Sequence, residues 1–254
     1  MSDTLNHQQA LRYNRQVLLP GFDLEGQEKL LCANVLIMGV GGLGNPAAQY
    51  LAASGVGHLT LCDDDKVELS NLHRQILFAE GDIGQQKVQA ASARLHAINS
   101  ECRITPLATR PDEKQLSELI SQHQVILDCT DNLTSRNLIN RLCVQLQKPL
   151  VSGAAIRMEG QLFCYQPHLD CPCYQCLSSL FGEQNLSCVE SGILSPVVGV
   201  IGVMQALMAV KLLAGLPVQT AQLQQFDART GQWHTFKLSR HPDCPVCVRS
   251  SQRF

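Results

Sequence analysis

The sequence has no block of lysine or arginine, and its charges nearly cancel. Its 20 Lys+Arg and 22 Asp+Glu leave a formal net charge of −2 over 254 residues. Nucleic-acid binding draws on clustered cations, so that class is not expected. The N-terminus, MSDTLNHQQALRYNRQ, lacks the apolar core of a signal peptide, and a cytoplasmic location is expected. Low-complexity tracts, internal repeats and linkers are also missing, so residues 1–254 read as one domain. General disorder is excluded by a hydrophobic content of 45%, enough for a substantial core. One long apolar run tests the membrane class, Ile193 to Leu216, and Pro196, Gln205 and Lys211 interrupt it. A helix buried in a large core is expected there, not a membrane span.

Cysteine is not scarce: there are twelve. In a chain not expected to be exported they read as metal ligands, reactive thiols or core filler, not as disulfides. Cys173 and Cys176 form one C-x-x-C pair, and Cys244 and Cys247 form another. Four thiolates are what tetrahedral structural zinc (Zn²⁺) requires, but 67 residues separate the pairs, so they must meet through the fold. A pair of buried or redox-active dithiols is the alternative. Cys171 offers a second register for the first ligand.

The stretch Val35–Arg74 organises the rest. Val35-Leu36-Ile37-Met38 is too short and apolar for anything but a strand buried on both faces. The turn Gly39-Val40-Gly41-Gly42-Leu43-Gly44 matches G-x-G-x-x-G, and a helix through Pro46–Ala52 follows. A second strand, Leu59–Cys62, ends in Asp63, nineteen residues after Gly44. Such a unit lets backbone approach a phosphate at a helix N-terminus while the acid accepts ribose hydroxyls. ATP and a nicotinamide dinucleotide both satisfy it.

Further elements are expected at Gln8–Leu30 (helix), in a helix led by Gly84-Gln85-Gln86-Lys87 and running to about Ile98, and at Cys102–Leu107 (strand), Glu113–His123 (helix) and Val125–Asp128 (strand). A helix over Leu133–Gln147 and a strand over Pro149–Ser152 follow. Lys87 falls in the first turn of its helix, where the dipole disfavours a cation, and so hints at an anion to answer. Asp128 and Asp131, at a strand end, are expected to meet whatever the glycine turn holds. Beyond Gly153 the pattern changes, with Gly160–Tyr165 and Ala221–Phe226 as strands of a more mixed sheet. The fold class is α/β: a Rossmann-like, doubly wound, mostly parallel sheet continued by a mixed or antiparallel C-terminal half.

Together these pieces resemble the adenylating enzymes related to the ubiquitin-activating enzymes. The resemblance rests on RYNRQ (Arg12–Gln16), GVGGLG (Gly39–Gly44), LSNLHRQ (Leu69–Gln75), DCTDN (Asp128–Asn132) and the four cysteines. It implies ATP- and Mg²⁺-dependent adenylation of the C-terminal glycine of a ubiquitin-like sulfur-carrier protein ending in Gly-Gly, by a homodimer. SGAAIRMEGQ (Ser152–Gln161) and CLSSLFGE (Cys176–Glu183) look like the branch acting on the small subunit of molybdopterin synthase. The branch acting on the thiamine-pathway carrier is the alternative. Residues 1–30 would then be an N-terminal helical region, 31–150 a nucleotide-binding half and 151–254 a carrier-binding and zinc half. Carried over, Gly39, Gly41, Gly42, Gly44, Asp63, Ser70, Asn71, Leu72, His73, Arg74, Lys87, Asp131 and Asn132 would contact ATP. Asp131 would also hold Mg²⁺, and Arg15 would act in the neighbouring subunit. Arg15, Arg74, Lys87 and Asp131 would form the catalytic set, with Cys173, Cys176, Cys244 and Cys247 on zinc. The chain departs from the pattern at His73, Asn45 and Cys171. Cys188 falls where some relatives carry a thiol that links to the carrier, but adenylation by a carboxylate does not require it.

Overall fold

The computed structural model describes residues 5–180 and 192–248. Helix α1, His7–Val17, starts at a capping box between Asn6 and Gln9, and α2 runs from Asp23 to Leu31. The single helical stretch expected over Gln8–Leu30 is therefore two helices. Helix α1 stops at Val17 with Leu18 as its C-cap; Pro20 then bars a helical continuation, and Gly21 turns the connection to α2 at a left-handed φ of +84°.

The chain then alternates β1 (Asn34–Met38), α3 (Gly44–Ala53), β2 (His58–Cys62), α4 (Lys87–Ile98), β3 (Arg103–Leu107), α5 (Glu113–Ser121), β4 (Val125–Asp128), α6 (Leu133–Gln145) and β5 (Leu150–Ile156). It continues through β6 (Glu159–Tyr165), α7 (Tyr174–Ser178), α8 (Ser195–Ala214), β7 (Gln222–Asp227) and β8 (Gln232–Lys237). The eight strands among the described residues share one sheet in the order β3-β2-β1-β4-β5-β6-β7-β8. Pairing is parallel from β3 to β5 and antiparallel from β5 to β8. The expected change after Gly153 is where β5 turns back as β6.

Alternation along β1 explains the two-sided core. Val35 and Ile37 join Leu51, Val88 and Ile201, from α3, α4 and α8, on one face. Leu36 and Met38 join Leu116, Ile139 and Leu142, from α5 and α6, on the other. Helix α8 is long and apolar enough to cross a membrane by length and composition. It packs on α2, α3, β5 and β6, as expected for a core helix. Strand β8 escaped the sequence reading. All six of its residues are exposed, so no buried face imprints a two-residue period on it.

Candidate active site

Chain order reverses between β1 and β4, and at their carboxyl ends lies a cleft of about 900 Å³. Gly39 takes φ +89°, and a Cβ there would lie 2.8 Å from the Cys129 carbonyl oxygen, so the glycine turn rests on the β4–α6 loop. A Cβ on Gly44 would collide with the Gly39 carbonyl, which keeps the turn tight. Asn45, a departure in the sequence, clamps it: its Nδ2 donates to the Val40 carbonyl (2.7 Å), and its Oδ1 accepts from the Leu77 amide (3.0 Å). No side chain caps α3, which leaves its N-terminus open to an anion.

Asp63 ends β2 at the cleft wall. Its carboxylate accepts from the Val40 amide (2.7 Å) and the Asp65 amide (2.9 Å). Burial pushes its carboxyl above the usual range, against the pull of Lys87 and those two amides. Lys87 is buried at the head of α4, and its Nζ lies 2.7 Å from Asp65 Oδ2. The anion that this cation answers is thus Asp65. Arg74 folds onto the turn preceding it, with Nη1 2.9 Å from both the Ser70 carbonyl and His73 Nε2. Gly41, Gly42, Ser70, Asn71, Asp131 and Asn132 also line the cleft, and Asn132 Oδ1 caps α6 at the Ser135 amide (2.9 Å).

Three residues carried over as ATP contacts do not line this cleft. Gly44 opens α3, Leu72 packs against the core, and His73 gives its carbonyl to the Ser195 hydroxyl. Arg15 does not line it either. Helix α1 is tied instead to the opposite end of the sheet, with Asn99 Nδ2 2.9 Å from Tyr13 Oη and Gln16 Nε2 3.0 Å from the Ser54 carbonyl.

Asp128 corrects an expectation. It is 1% exposed and turns away from the cleft, accepting from the Thr130 amide (3.0 Å), the Thr130 hydroxyl (2.6 Å) and the Ser152 hydroxyl (3.0 Å). Its ionic partner is Arg136, at 3.7 Å. Arg136 was missed in the sequence. It donates to the carbonyls of Thr130 and Gly153 (2.8 Å to the latter) and to the Ser152 hydroxyl (3.1 Å), tying the loop that carries Asp131 to β5. A signal existed: like Lys87, it is a cation in the first turns of a helix, against the dipole.

The cysteine pairs meet behind this wall. All four are buried, with their sulfurs within 4.8 Å of one another; Cys173–Cys244 measures 3.7 Å and Cys176–Cys247 3.5 Å. Sulfurs about 2.3 Å from a tetrahedral zinc ion stand roughly 3.8 Å apart, so the donor set fits that ion. The Asn140 amide group (3.6 Å) and the His241 backbone amide (3.4 Å) point at Cys173 and Cys176 sulfurs, as donors to thiolate do. Cys171 stands outside the cluster, its thiol donating to the Gln166 carbonyl (3.2 Å). The cluster anchors α7, which lends Tyr174 and Ser178 to the cleft. Cys188 lies outside the described residues.

A profile of the ThiF family matches residues 13–246. The chain is 50% identical, over 96% of its length and 98% of the relative's, to the molybdopterin-synthase adenylyltransferase of Escherichia coli (strain K12). It is 44% identical, over 97% of its length and 98% of the relative's, to the sulfur carrier protein ThiS adenylyltransferase of the same strain. Among solved structures, Escherichia coli MccB with succinimide superposes with a TM-score of 0.80 at 25% identity, covering 93% of this chain and 73% of that one.

Proposed function

The chain belongs to the ThiF family, and on that premise we propose that it adenylates the C-terminal glycine of the ubiquitin-like sulfur carrier of molybdopterin synthase, using ATP. The observation that carries this reading is the 50% identity to a molybdopterin-synthase adenylyltransferase over nearly the full length of both chains. The thiamine-pathway carrier is the second reading, favoured by the 44% identity to the other adenylyltransferase. Both belong to one chemistry, the enzyme is a nucleotidyltransferase, and its site of action in the cell is the cytoplasm.

A C-terminal carboxyl has a pKa of about 3.3–3.7, so the nucleophile is already ionised and needs no general base. One carboxylate oxygen attacks the α-phosphorus as the bond to the bridging oxygen breaks, and pyrophosphate leaves with that electron pair. The difficulty is bringing an anion onto a triphosphate, which calls for positioning and charge neutralisation. The glycine turn and the α3 N-terminus hold phosphate. Arg74 unfolds from its Ser70 contact and Lys87 leaves Asp65 to meet phosphate oxygens, while Asp63 accepts the ribose hydroxyls. Ser70, Asn71 and Asn132 complete the walls. Asp131, exposed at the cleft, has the hard oxygen donor that suits Mg²⁺, which when bound neutralises phosphate charge.

Arg15 lies at the far end of its own sheet, so a catalytic role requires a second subunit. Leu11, Leu18 and Leu19 beside it are exposed apolar side chains that suit burial in a homodimer. Residues 1–30 then serve the partner's site, 31–150 bind nucleotide, and 151–254 receive the carrier and hold zinc through Cys173, Cys176, Cys244 and Cys247. The test is carrier-dependent ATP–pyrophosphate exchange with each carrier. Faster exchange with the molybdopterin-type carrier is expected; exchange with neither would refute the function, and a preference for the thiamine-type carrier would select the second reading.

A further inference from the structure

Arg110 belongs to none of the motifs, yet it lines the cleft from the β3–α5 loop. Its Nη2 donates to Ser135 Oγ across 3.3 Å, joining that loop to the first turn of α6. The loop itself is held to the end of β2, where the Cys62 thiol donates to the Thr109 carbonyl (3.4 Å), and Pro111 stiffens its far side. Two features make this cation unusual. It stands between the N-termini of α5 and α6, where both helix dipoles disfavour positive charge. Among the described residues, no carboxylate pairs with it.

The order of groups along the sheet tells what it faces. Phosphates belong at the glycine turn after β1, and the ribose at Asp63 after β2. The base of a nucleotide held in that direction lies next, toward the end of β3, between Thr109–Pro111 and Asn132–Ser135. We infer that Arg110 is a base-positioning residue: its guanidinium plane covers the adenine ring, and its bridge to Ser135 closes the outer wall of that lobe. The ring's electron-rich face supplies the partner that the helix termini deny this cation. The inference rests on the ATP reading above. It adds a determinant of nucleotide affinity that takes no part in the chemistry at phosphorus.

The test is equilibrium binding of ATP, adenosine and pyrophosphate to the wild-type chain, Arg110→Ala and Arg110→Lys, with exchange kinetics beside it. Arg110→Ala should weaken ATP and adenosine by the same factor, about tenfold, and leave pyrophosphate unchanged. In exchange the loss should fall in KM for ATP far more than in kcat. Lysine, which keeps the charge but not the plane, should recover only part of it. Weakened ATP with unweakened adenosine would mean that Arg110 answers a phosphate, and equal binding by wild type and Arg110→Ala would remove its role; either overturns the inference alone. A wild-type chain that binds neither ATP nor adenosine overturns the ATP reading and the inference with it.

Discussion

Replacing Arg136 with methionine keeps an unbranched apolar stem but removes the guanidinium and its charge, which tests how the loop bearing Asp131 is held. The guanidinium is buried among the Thr130 and Gly153 carbonyls, the Ser152 hydroxyl and the Asp128 carboxylate. Burial is the largest single influence and works against its charge, but Asp128, Tyr174 and Cys129 together outweigh it, so its pKa is raised. Removing one partner of a buried ion pair costs about 3–5 kcal/mol, in line with two carbonyls losing a donor at about 1–3 kcal/mol each. For a chain of this size that lowers Tm by about 6–20 °C. Urea denaturation read by circular dichroism gives the difference, and the Asp128→Asn, Arg136→Met double variant shows its source. Because the asparagine side chain introduced there can still accept from Thr130, the double variant should be less destabilised than the sum of the singles, by about 1 kcal/mol or more. Pyrophosphate exchange by Arg136→Met should also fall at temperatures where the variant is folded. A loss of stability below 1 kcal/mol, or additive singles, would refute the strut.

Asp131→Ala should abolish exchange at unchanged Tm, since Asp131 is exposed and fills no core volume; retaining more than a tenth of the rate would remove it from the mechanism. Zinc should copurify at one ion per chain, and Cys176→Ser should lower metal content and Tm together, whereas Cys171→Ser keeps full metal by mass spectrometry. Arg15→Ala and Asp131→Ala should each be nearly inactive, and subunit exchange between them should restore about a quarter of wild-type sites, a consequence of two-fold symmetry; verified exchange without recovery would sink the role in trans. His58, lowered to about 4 by burial and then by Arg103 and His123, is neutral when folded. Its contribution is complete above the unfolded value of 6.5 and declines as pH falls toward 4, so the urea midpoint should drop from pH 7 to pH 5, and less so in His58→Gln.

Much of this molecule follows from local chemistry along the chain. Apolar runs such as Val35–Met38 and Val125–Asp128 can satisfy their backbone and bury both faces only as inner strands, and β4 falls on the expected bounds. Gly44, against the Gly39 carbonyl, and the left-handed φ of Gly39 are matters of backbone geometry within a few residues, and the two C-x-x-C pairs carry their ligand chemistry in their spacing. Residues whose role arises between distant segments were not legible in this way. Arg136 acts on Thr130 and Gly153 from different elements, Asn45 reaches Leu77, and Arg110 reaches Ser135. Choosing Cys173 over Cys171 required β6, α7 and the C-terminal segment to be packed together, because only one of the two thiols then points at Cys244. Asp128 and Asp131 differ by three positions and look equivalent as letters. One faces the interior because α6 brings Arg136 beneath the sheet, and the other is left in the cleft, so tertiary packing separated the structural acid from the candidate metal ligand.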